Sequence, residues 1–125
     1  DSEGYLEYFK ILDYYEKGHT IIMSNVFDLT KELRLLENKI SDIFAFYPVY
    51  ANFYLSKDDR GGFQSHDHAL FDVYVKQIYG TSNWVLNETE DVILPPGDVL
   101  FISKGTKHYV KSTDGPRLSL SIRMR

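Results

Sequence analysis

The sequence predicts a mostly β domain, an antiparallel sandwich or barrel with two helices at its N-terminal end. The chain has 125 residues, which is about one domain and enough to bury one core. Aromatic residues make up 15% of the chain, and aromatic side chains favour strands. Two stretches with helical periodicity are followed by short apolar or alternating stretches that turn residues separate. This order predicts a single domain, with a helical lead-in over about 1–47 and a barrel over about 48–125.

Apolar residues at helical spacing predict the two helices. In the first, over residues 3–17, Leu6, Phe9 and Leu12 recur at this spacing, and Gly18 is a suitable C-terminal stop. A second apolar stripe predicts a helix over about 30–45 and consists of Leu33, Leu36, Ile40 and Phe44.

Short apolar or alternating segments predict the strands. Gly80 and the turn residues at 113–116 are expected to end strands, because Gly and Pro interrupt a β-ladder. The predicted strands cover 20–24, 49–55, 71–79, 83–86, 92–94, 99–102, 108–111 and 117–123.

The composition excludes several function classes. The net charge is −4 and no basic stripe occurs, so we expect no nucleic-acid partner. The absence of cysteine excludes disulfides, thiolate metal sites and cysteine nucleophiles. No apolar run has the length of a membrane span and the start is not a signal peptide, so we expect a cytoplasmic protein without a membrane partner. Because residue 1 is Asp, we expect a piece of a longer chain or a trimmed one.

Three histidines form a candidate metal site. His66 and His68 are two residues apart, so on a strand both imidazoles point to one face, and a later strand can bring His108 to the same point. Imidazole suits iron, nickel, copper and zinc. Asp72 shares the parity of His68, whereas Asp67 would face the opposite side of a regular strand. The alternative interpretation is ordinary hydrogen-bonded histidines and a solvated Asp72, and spacing alone leaves both open.

The residues around these histidines resemble the two cupin motifs. Residues 96–108 resemble the second motif, in which a glycine turn, a strand and a loop lead to the metal histidine, here His108; Ser103 stands at the usual proline. His66 and His68, followed by Asp72, resemble the first motif, which has two histidines and then an acid.

The resemblance is closer to the Jumonji-C-like cupins that include the ribosomal-protein hydroxylases, and it covers roughly residues 14–124. That branch has an Asn-aromatic-Tyr strand, a glycine turn before the first metal histidine, an Asp-Val-aromatic strand, and then Gln, Gly and Trp at fixed spacing. The matching positions here are residues 51–55, 62–66 and 72–74, with Gln77, Gly80 and Trp84.

This resemblance implies a double-stranded β-helix that holds Fe(II) or another divalent transition metal, with 2-oxoglutarate as co-substrate. The family holds iron with two histidines and a carboxylate two residues after the first histidine, but here that position is His68. Three ligand sets stay open. We favour His66, His68 and His108, as in cupins that do not use 2-oxoglutarate, with Asp72 as a fourth ligand or as a partner of a ligand. A bulge could instead turn Asp67 inward, or Asp72 could complete a four-ligand set.

Arg117 and Ser119 are the candidates for binding the co-substrate. The family often uses a basic residue shortly before the Trp, but residues 81–83 contain none. Arg117 and Ser119 resemble the Arg-x-Ser pair of other 2-oxoglutarate oxygenases, and Arg can bind a carboxylate through two parallel bonds. The alternative is a surface arginine on a strand. Further candidate donors, which could also be ordinary strand packing, are Asn52, Tyr54 and Tyr74.

The leading hypothesis is therefore an Fe(II)- and 2-oxoglutarate-dependent dioxygenase that hydroxylates a protein side chain or a small molecule. The alternative is a small metal-binding cupin that does not use 2-oxoglutarate, such as another dioxygenase, an isomerase or a binding module. A third hypothesis is a barrel without metal that acts as an interaction domain. Ribosomal-protein hydroxylases carry further C-terminal domains for dimerisation, so a homodimer is an expectation that this resemblance leaves open.

Overall fold

The computed structural model describes residues 2–43, 49–61 and 70–124 of the chain. Two α-helices, two short 3-10 helices and six strands occupy these ranges, and a mostly β fold with two N-terminal helices is confirmed. In chain order the α-helices and strands are α1 (Ser2–Glu16), β1 (Ile21–Ser24), α2 (Lys31–Ile43), β2 (Val49–Ser56), β3 (Asp72–Leu86), β4 (Glu90–Leu94), β5 (Val99–Ile102) and β6 (His108–Met124).

The longest strand, β6, lies in the middle of the sheet. The strand order is β1-β2-β6-β3-β4, and every described pair is antiparallel. Along its other edge, β3 pairs first with β5 and then with β4. Since β2 and β3 flank β6, the side chains that these three strands turn to one face lie beside each other.

Two predicted strand ends are wrong. β3 continues through Gly80, and β6 continues through residues 113–116. The ladder between them shifts register instead, between Gln77 and Tyr79 and again between Tyr79 and Thr81. Glycine and proline therefore bend this pair of strands without ending it, because a bulge leaves extra residues unpaired and the ladder then resumes.

The two faces of β6 contribute to two apolar clusters and one polar surface. One cluster is formed mainly by β3, β4 and β5; its buried members are Val73, Val75, Trp84, Leu86, Leu94, Leu100 and Ile102. The other lies under α2, and its members include Val26, Phe27, Ala51, Leu120, Ile122 and Met124, with Leu33, Leu36 and Ile40 packed against them. The predicted stripe of α2 is thus confirmed for its described residues, while Phe44 lies outside them.

Side chains along the last part of β6 alternate between two faces, and this alternation directs its polar residues to one of them. Leu120 and Ile122 face α2, so Arg117, Ser119 and Ser121 face the inside of the barrel, where all three are buried. Neither α1 nor α2 is long and apolar enough in its described length to cross a membrane.

The bend at Gly80 predicts a large difference between two glycine substitutions. Gly80 and Gly115 both have positive φ, +73° and +76°. A Cβ on Gly80 would press into the carbonyl oxygen of Pro116, whereas a Cβ on Gly115 would meet no atom. Gly115→Ala is expected to lower the free energy of unfolding by about 1–2 kcal/mol, for backbone strain alone. For Gly80→Ala we expect a loss of about 2–5 kcal/mol, because strain and overpacking add.

Urea unfolding of the two variants and the wild-type chain measures this difference. Equal losses for the two glycines would contradict the close contact at the bend.

Candidate functional site

The structure describes two of the five predicted metal residues. His66, Asp67 and His68 lie outside the described residues. Asp72 and His108 lie within them, and no group of three or more acidic or histidine side chains in the described ranges is arranged to hold a metal ion. The ligand set therefore stays a prediction. Among the predicted ligands, the structure gives the surroundings of His108 and Asp72.

His108 has the tautomer that a metal ligand needs. It is the first residue of β6, it is buried, and its Nδ1 lies 2.9 Å from the carbonyl oxygen of Thr106. Since a carbonyl only accepts, Nδ1 donates the hydrogen bond, and in the neutral form of the ring the lone pair is then on Nε2. Metal-binding histidines use this arrangement, in which one nitrogen is fixed by a carbonyl and the other faces the metal.

Asp72 holds the loop that precedes His108. Its Oδ1 accepts a hydrogen bond of 2.9 Å from the backbone N–H of Lys104. Within the same loop the hydroxyls of Ser103 and Thr106 lie 2.9 Å apart. Asp72 from β3 and His108 from β6 thus bind the loop at two points. This position fits Asp72 as a residue that supports a ligand, because one of its carboxylate oxygens already accepts a hydrogen bond.

Arg117 is a buried cation, not a surface arginine. Only 3% of its surface is exposed. Its Nε donates to Ser56 Oγ at 3.2 Å and its Nη1 donates to Ser119 Oγ at 3.1 Å. The ring of Tyr54 lies 5.9 Å from the guanidinium carbon. Burial lowers the pKa of Arg117 to about 10, although Tyr54 acts in the opposite direction. The guanidinium therefore stays charged at neutral pH.

The partners of Arg117 do not neutralise its charge. Both hydrogen-bond acceptors are neutral hydroxyls, and no carboxylate in the described part of the chain forms an ion pair with it. The N–H groups of Nη2 have no acceptor among the described residues either. A buried charge without a counter-ion is costly, and an anionic ligand placed against Nη2 would offset that cost.

A pocket connects Arg117 with the neighbourhood of His108. Aromatic and aliphatic side chains form most of its wall, and Arg117 with two serines supplies the polar part. The lining residues are Tyr54, Val75, Trp84, Tyr109, Val110, Arg117, Ser119 and Ser121. The Trp84 ring lies 6.2 Å from the His108 ring, centroid to centroid. The pocket therefore has an apolar middle, a cation on its wall, and a histidine next to one wall.

The predicted co-substrate residues are brought together only in part. Arg117, Ser119 and Tyr54 line the pocket. Asn52 is buried on the same side of β2, but its Oδ1 lies 3.4 Å from the backbone N–H of Asn25. Tyr74 lies on the opposite face of β3, where its ring packs 4.9 Å from the ring of Phe101, centroid to centroid. The structure therefore does not bring Tyr74 into this pocket.

Sequence reasoning did not identify Ser56 as a site residue. Ser56 pairs with Arg117 across the ladder and accepts its Nε–H. The alternation that groups Asn52 with Tyr54 on β2 extends to Ser56, and this is the signal that could have found it. The walls formed by Tyr109 and Val110 carry no comparable signal, because they depend on how β6 bends.

No protein-family model and no curated protein matches this sequence, whereas many solved structures resemble its fold. YcfD, a ribosomal oxygenase from Escherichia coli in complex with cobalt and succinic acid, has a TM-score of 0.71 at 20% identity, over 85% of this chain and 31% of that chain. The DMSP lyase DddQ from Ruegeria pomeroyi has a TM-score of 0.55 at 18% identity, over 62% of this chain and 38% of that chain.

A cupin superfamily protein from Desulfitobacterium hafniense has a TM-score of 0.53 at 18% identity, over 59% of this chain and 64% of that chain. This chain spans only 31% and 38% of the lengths of the oxygenase and the lyase. At such identities the likeness shows the fold. The predicted double-stranded β-helix of the cupin type is confirmed, and the activity is a separate question.

The distance between Trp84 and His108 predicts a direct signal of metal binding. Trp84 is the only tryptophan of the chain, and Co(II) bound by a ring 6.2 Å away would quench its fluorescence. We expect saturable quenching by Co(II) in the wild-type chain and its loss in His108→Ala. His19→Ala is the matched control, because His19 is exposed and packs against Tyr14. Equal quenching in all three proteins would contradict a metal at His108.

Because no carboxylate among the described residues pairs with Arg117, removal of its charge is expected to cost little stability. Arg117→Met is expected to keep the free energy of unfolding within about 1 kcal/mol of wild type or to raise it, because an apolar side chain in place of a buried charge is often neutral or stabilising. Ser119 and Ser56 both keep a hydrogen-bond partner, Gln77 and Thr20 respectively. Urea unfolding without ligand measures the effect, and a loss of about 3 kcal/mol or more would show that the charge is compensated.

The difference in the free energy of unfolding between wild type and Arg117→Met is expected to depend on pH in a defined way. Burial lowers the pKa of Arg117 from its ordinary value to about 10 in the folded chain. Between about pH 6 and 9 both states keep the proton, so the difference between wild type and Arg117→Met is expected to be constant. As the pH rises above the folded pKa, the unfolded state holds more protons and the wild type gains stability relative to the variant.

Proposed function

We propose that this chain is the barrel of an Fe(II)-dependent oxygenase of the Jumonji-C-like type that uses 2-oxoglutarate. The observation that carries the proposal is Arg117, a buried cation beside a pocket with no carboxylate partner among the described residues. 2-Oxoglutarate is a dicarboxylate. The planar guanidinium fork matches a carboxylate, and Ser119 already fixes one side of that fork.

The pocket wall suits the rest of such a molecule. Tyr54, Trp84 and Tyr109 contribute aromatic surface to the wall, so the bond between the guanidinium and a carboxylate would form in an environment of lower dielectric constant than water and be stronger there. Trp84 also lies next to His108. A dicarboxylate bound at Arg117 would therefore have one end near the guanidinium and its carbon chain along the aromatic wall.

His108 would hold the metal together with His66 and His68, with Asp67 as the alternative to one of them and Asp72 in support. The fixed tautomer of His108 fits this role. Bound Fe(II) would supply the oxidation, in which 2-oxoglutarate, dioxygen and a substrate C–H group give succinate, carbon dioxide and a C–OH group. The protein would hold the co-substrate and position the C–H group. Succinic acid, the complexed dicarboxylate in YcfD, supports this choice of ligand.

The alternative is a metal-binding cupin that does not use 2-oxoglutarate. Two sequence observations favour it: His68 stands where the oxygenases have an acid, and the stretch before Trp84 has no basic residue. In that case Arg117 would bind the acid group of another substrate. A DMSP lyase has a similar fold. A barrel without metal that serves as an interaction domain is the third hypothesis, and metal analysis of the purified protein separates it from the other two.

The remaining expectations belong to this proposal. The substrate would be a protein side chain or a small molecule, the location cytoplasmic, and a homodimer one of the assemblies to test. Nucleic acid and membrane are not expected as partners, because the net charge is −4 and no basic stripe occurs.

Anaerobic titration with Fe(II) and 2-oxoglutarate tests the proposal. We expect a visible metal-to-ligand charge-transfer band that needs both components, and formation of succinate when dioxygen is admitted. Absence of both the band and succinate would rule out 2-oxoglutarate chemistry. Metal binding without the band would favour the alternative function.

Two arginine variants on β6 sharpen this test. Arg117→Met is expected to bind Fe(II) as wild type does but to lose the band at 2-oxoglutarate concentrations that saturate the wild type. Arg123→Met is the control, because Arg123 lies on the same strand against the ring of Phe71 at 5.6 Å, outside the pocket. An unchanged affinity for 2-oxoglutarate in Arg117→Met would show that Arg117 does not bind it.

A further inference from the structure

Gln77 is a fully buried polar side chain next to the pocket, with 0% of its surface exposed. Its Nε2 donates to the carbonyl oxygens of Tyr79 at 3.1 Å and Gly80 at 3.0 Å. Both partners only accept, so the orientation of the amide is fixed. Its Oε1 then accepts the hydroxyl protons of Ser82 at 3.1 Å and Ser119 at 2.7 Å.

Because both serines donate to Gln77, their oxygens can only accept hydrogen bonds from other groups. A serine that gives its only proton to Gln77 offers lone pairs to its other neighbours. Ser119 accepts from Arg117 Nη1 at 3.1 Å, and Ser82 accepts from Trp84 Nε1 at 2.9 Å. Two chains of donated hydrogen bonds, one from the guanidinium and one from the indole, therefore end on the same carbonyl oxygen of Gln77.

We propose that Gln77 is a positioning residue, which fixes Arg117 through Ser119 and Trp84 through Ser82. The functional part of this inference rests on the proposed function, in which Arg117 binds the carboxylate of 2-oxoglutarate. Gln77 does not line the pocket itself. It acts on two of its walls, the one that carries the cation and the one that lies next to His108.

The guanidinium needs the hydrogen bond from Nη1 to Ser119 because its other contacts do not hold it in one orientation. Ser56 accepts the hydrogen bond of Nε, and the centroid of the Tyr54 ring lies 5.9 Å from the guanidinium carbon. Without the acceptor at Nη1, the guanidinium could turn within the pocket, and a ligand would have to order it on binding. With Nε and Nη1 both held, Nη2 is directed by the planar geometry of the group. The ordering cost is then met during folding instead of during binding.

Gln77 also joins the pocket to the bend of the sheet. The two carbonyl groups that accept from its Nε2 belong to Tyr79 and Gly80, where the ladder between β3 and β6 shifts register. A bulge leaves backbone groups without ladder partners, and a buried side-chain amide satisfies them here. The same side chain therefore fixes the bend and both pocket walls.

Two serine variants test the two chains separately by NMR of the full chain. The single tryptophan gives one indole N–H signal, and 2-oxoglutarate is titrated in the presence of diamagnetic Zn(II). We expect Ser119→Ala to weaken 2-oxoglutarate binding about tenfold or more, with the indole signal and its exchange rate as in wild type. For Ser82→Ala we expect indole exchange about tenfold faster, with the affinity within about threefold of wild type.

Gln77→Met is expected to change both readouts together. Combined with Ser119→Ala, it should weaken binding no further than the stronger single variant does, because both act through one chain. Ser112→Ala is the control: Ser112 also lies on β6, is not among the residues that line the pocket, and its hydroxyl accepts a hydrogen bond from Asn83 Nδ2 at 2.9 Å instead of contacting Gln77. An affinity of Ser119→Ala within about twofold of wild type would overturn the proposal, as would equal changes of both readouts in both serine variants.

Failure of the proposed function would be distinguishable from failure of this inference. If wild type binds no 2-oxoglutarate, the function fails, and positioning is then judged without ligand. The readouts are the exchange of the Trp84 indole N–H in Ser82→Ala and the rotation of the Arg117 Nη groups in Ser119→Ala. Wild-type values for both would overturn the inference. If Gln77→Met does not fold, the two serine variants still decide.

Discussion

The ladder between β3 and β6 is the constraint on which the rest of the structure depends. It runs almost the full length of both strands and bends where Gly80 meets Pro116. Before the bend, β6 starts at His108 and pairs with the part of β3 that carries Trp84. After the bend, β6 carries Arg117 into the interior and Leu120 towards α2. The candidate metal end and the cation of the pocket are therefore parts of one strand pair.

The buried arginine is the feature that folding alone does not explain. Apolar clusters and satisfied backbone ladders lower the free energy of the folded chain, but an uncompensated cation raises it. The surroundings of Arg117 limit that cost with two hydroxyls and one aromatic ring, all of which are neutral. Such a site suits an anion that arrives later, because the charge is then neutralised only in the complex.

Much of the candidate site could be predicted from sequence, because its chemistry is carried by residue types and short spacings. The resemblance of residues 96–108 to a cupin motif singled out His108, and the pair Arg117 and Ser119 was visible as a short pattern. Short spacing could not predict burial, because an arginine on the surface of a strand and one inside a barrel have the same local sequence pattern. Tyr74 and Tyr54 looked equally suitable, yet the strands turn them to different environments.

The sequence by itself determined the fold class, the two helices and the approximate places of the strands, because these follow from local periodicity and turn chemistry. It also singled out candidate residues for binding a metal or a carboxylate. Only the tertiary structure decided that Gly80 bends a continuous strand and that Arg117 has no counter-ion within the described ranges. It alone showed that Gln77 joins Arg117 and Trp84. These three features depend on register between strands distant in sequence, and register is set by the packing of the whole sheet.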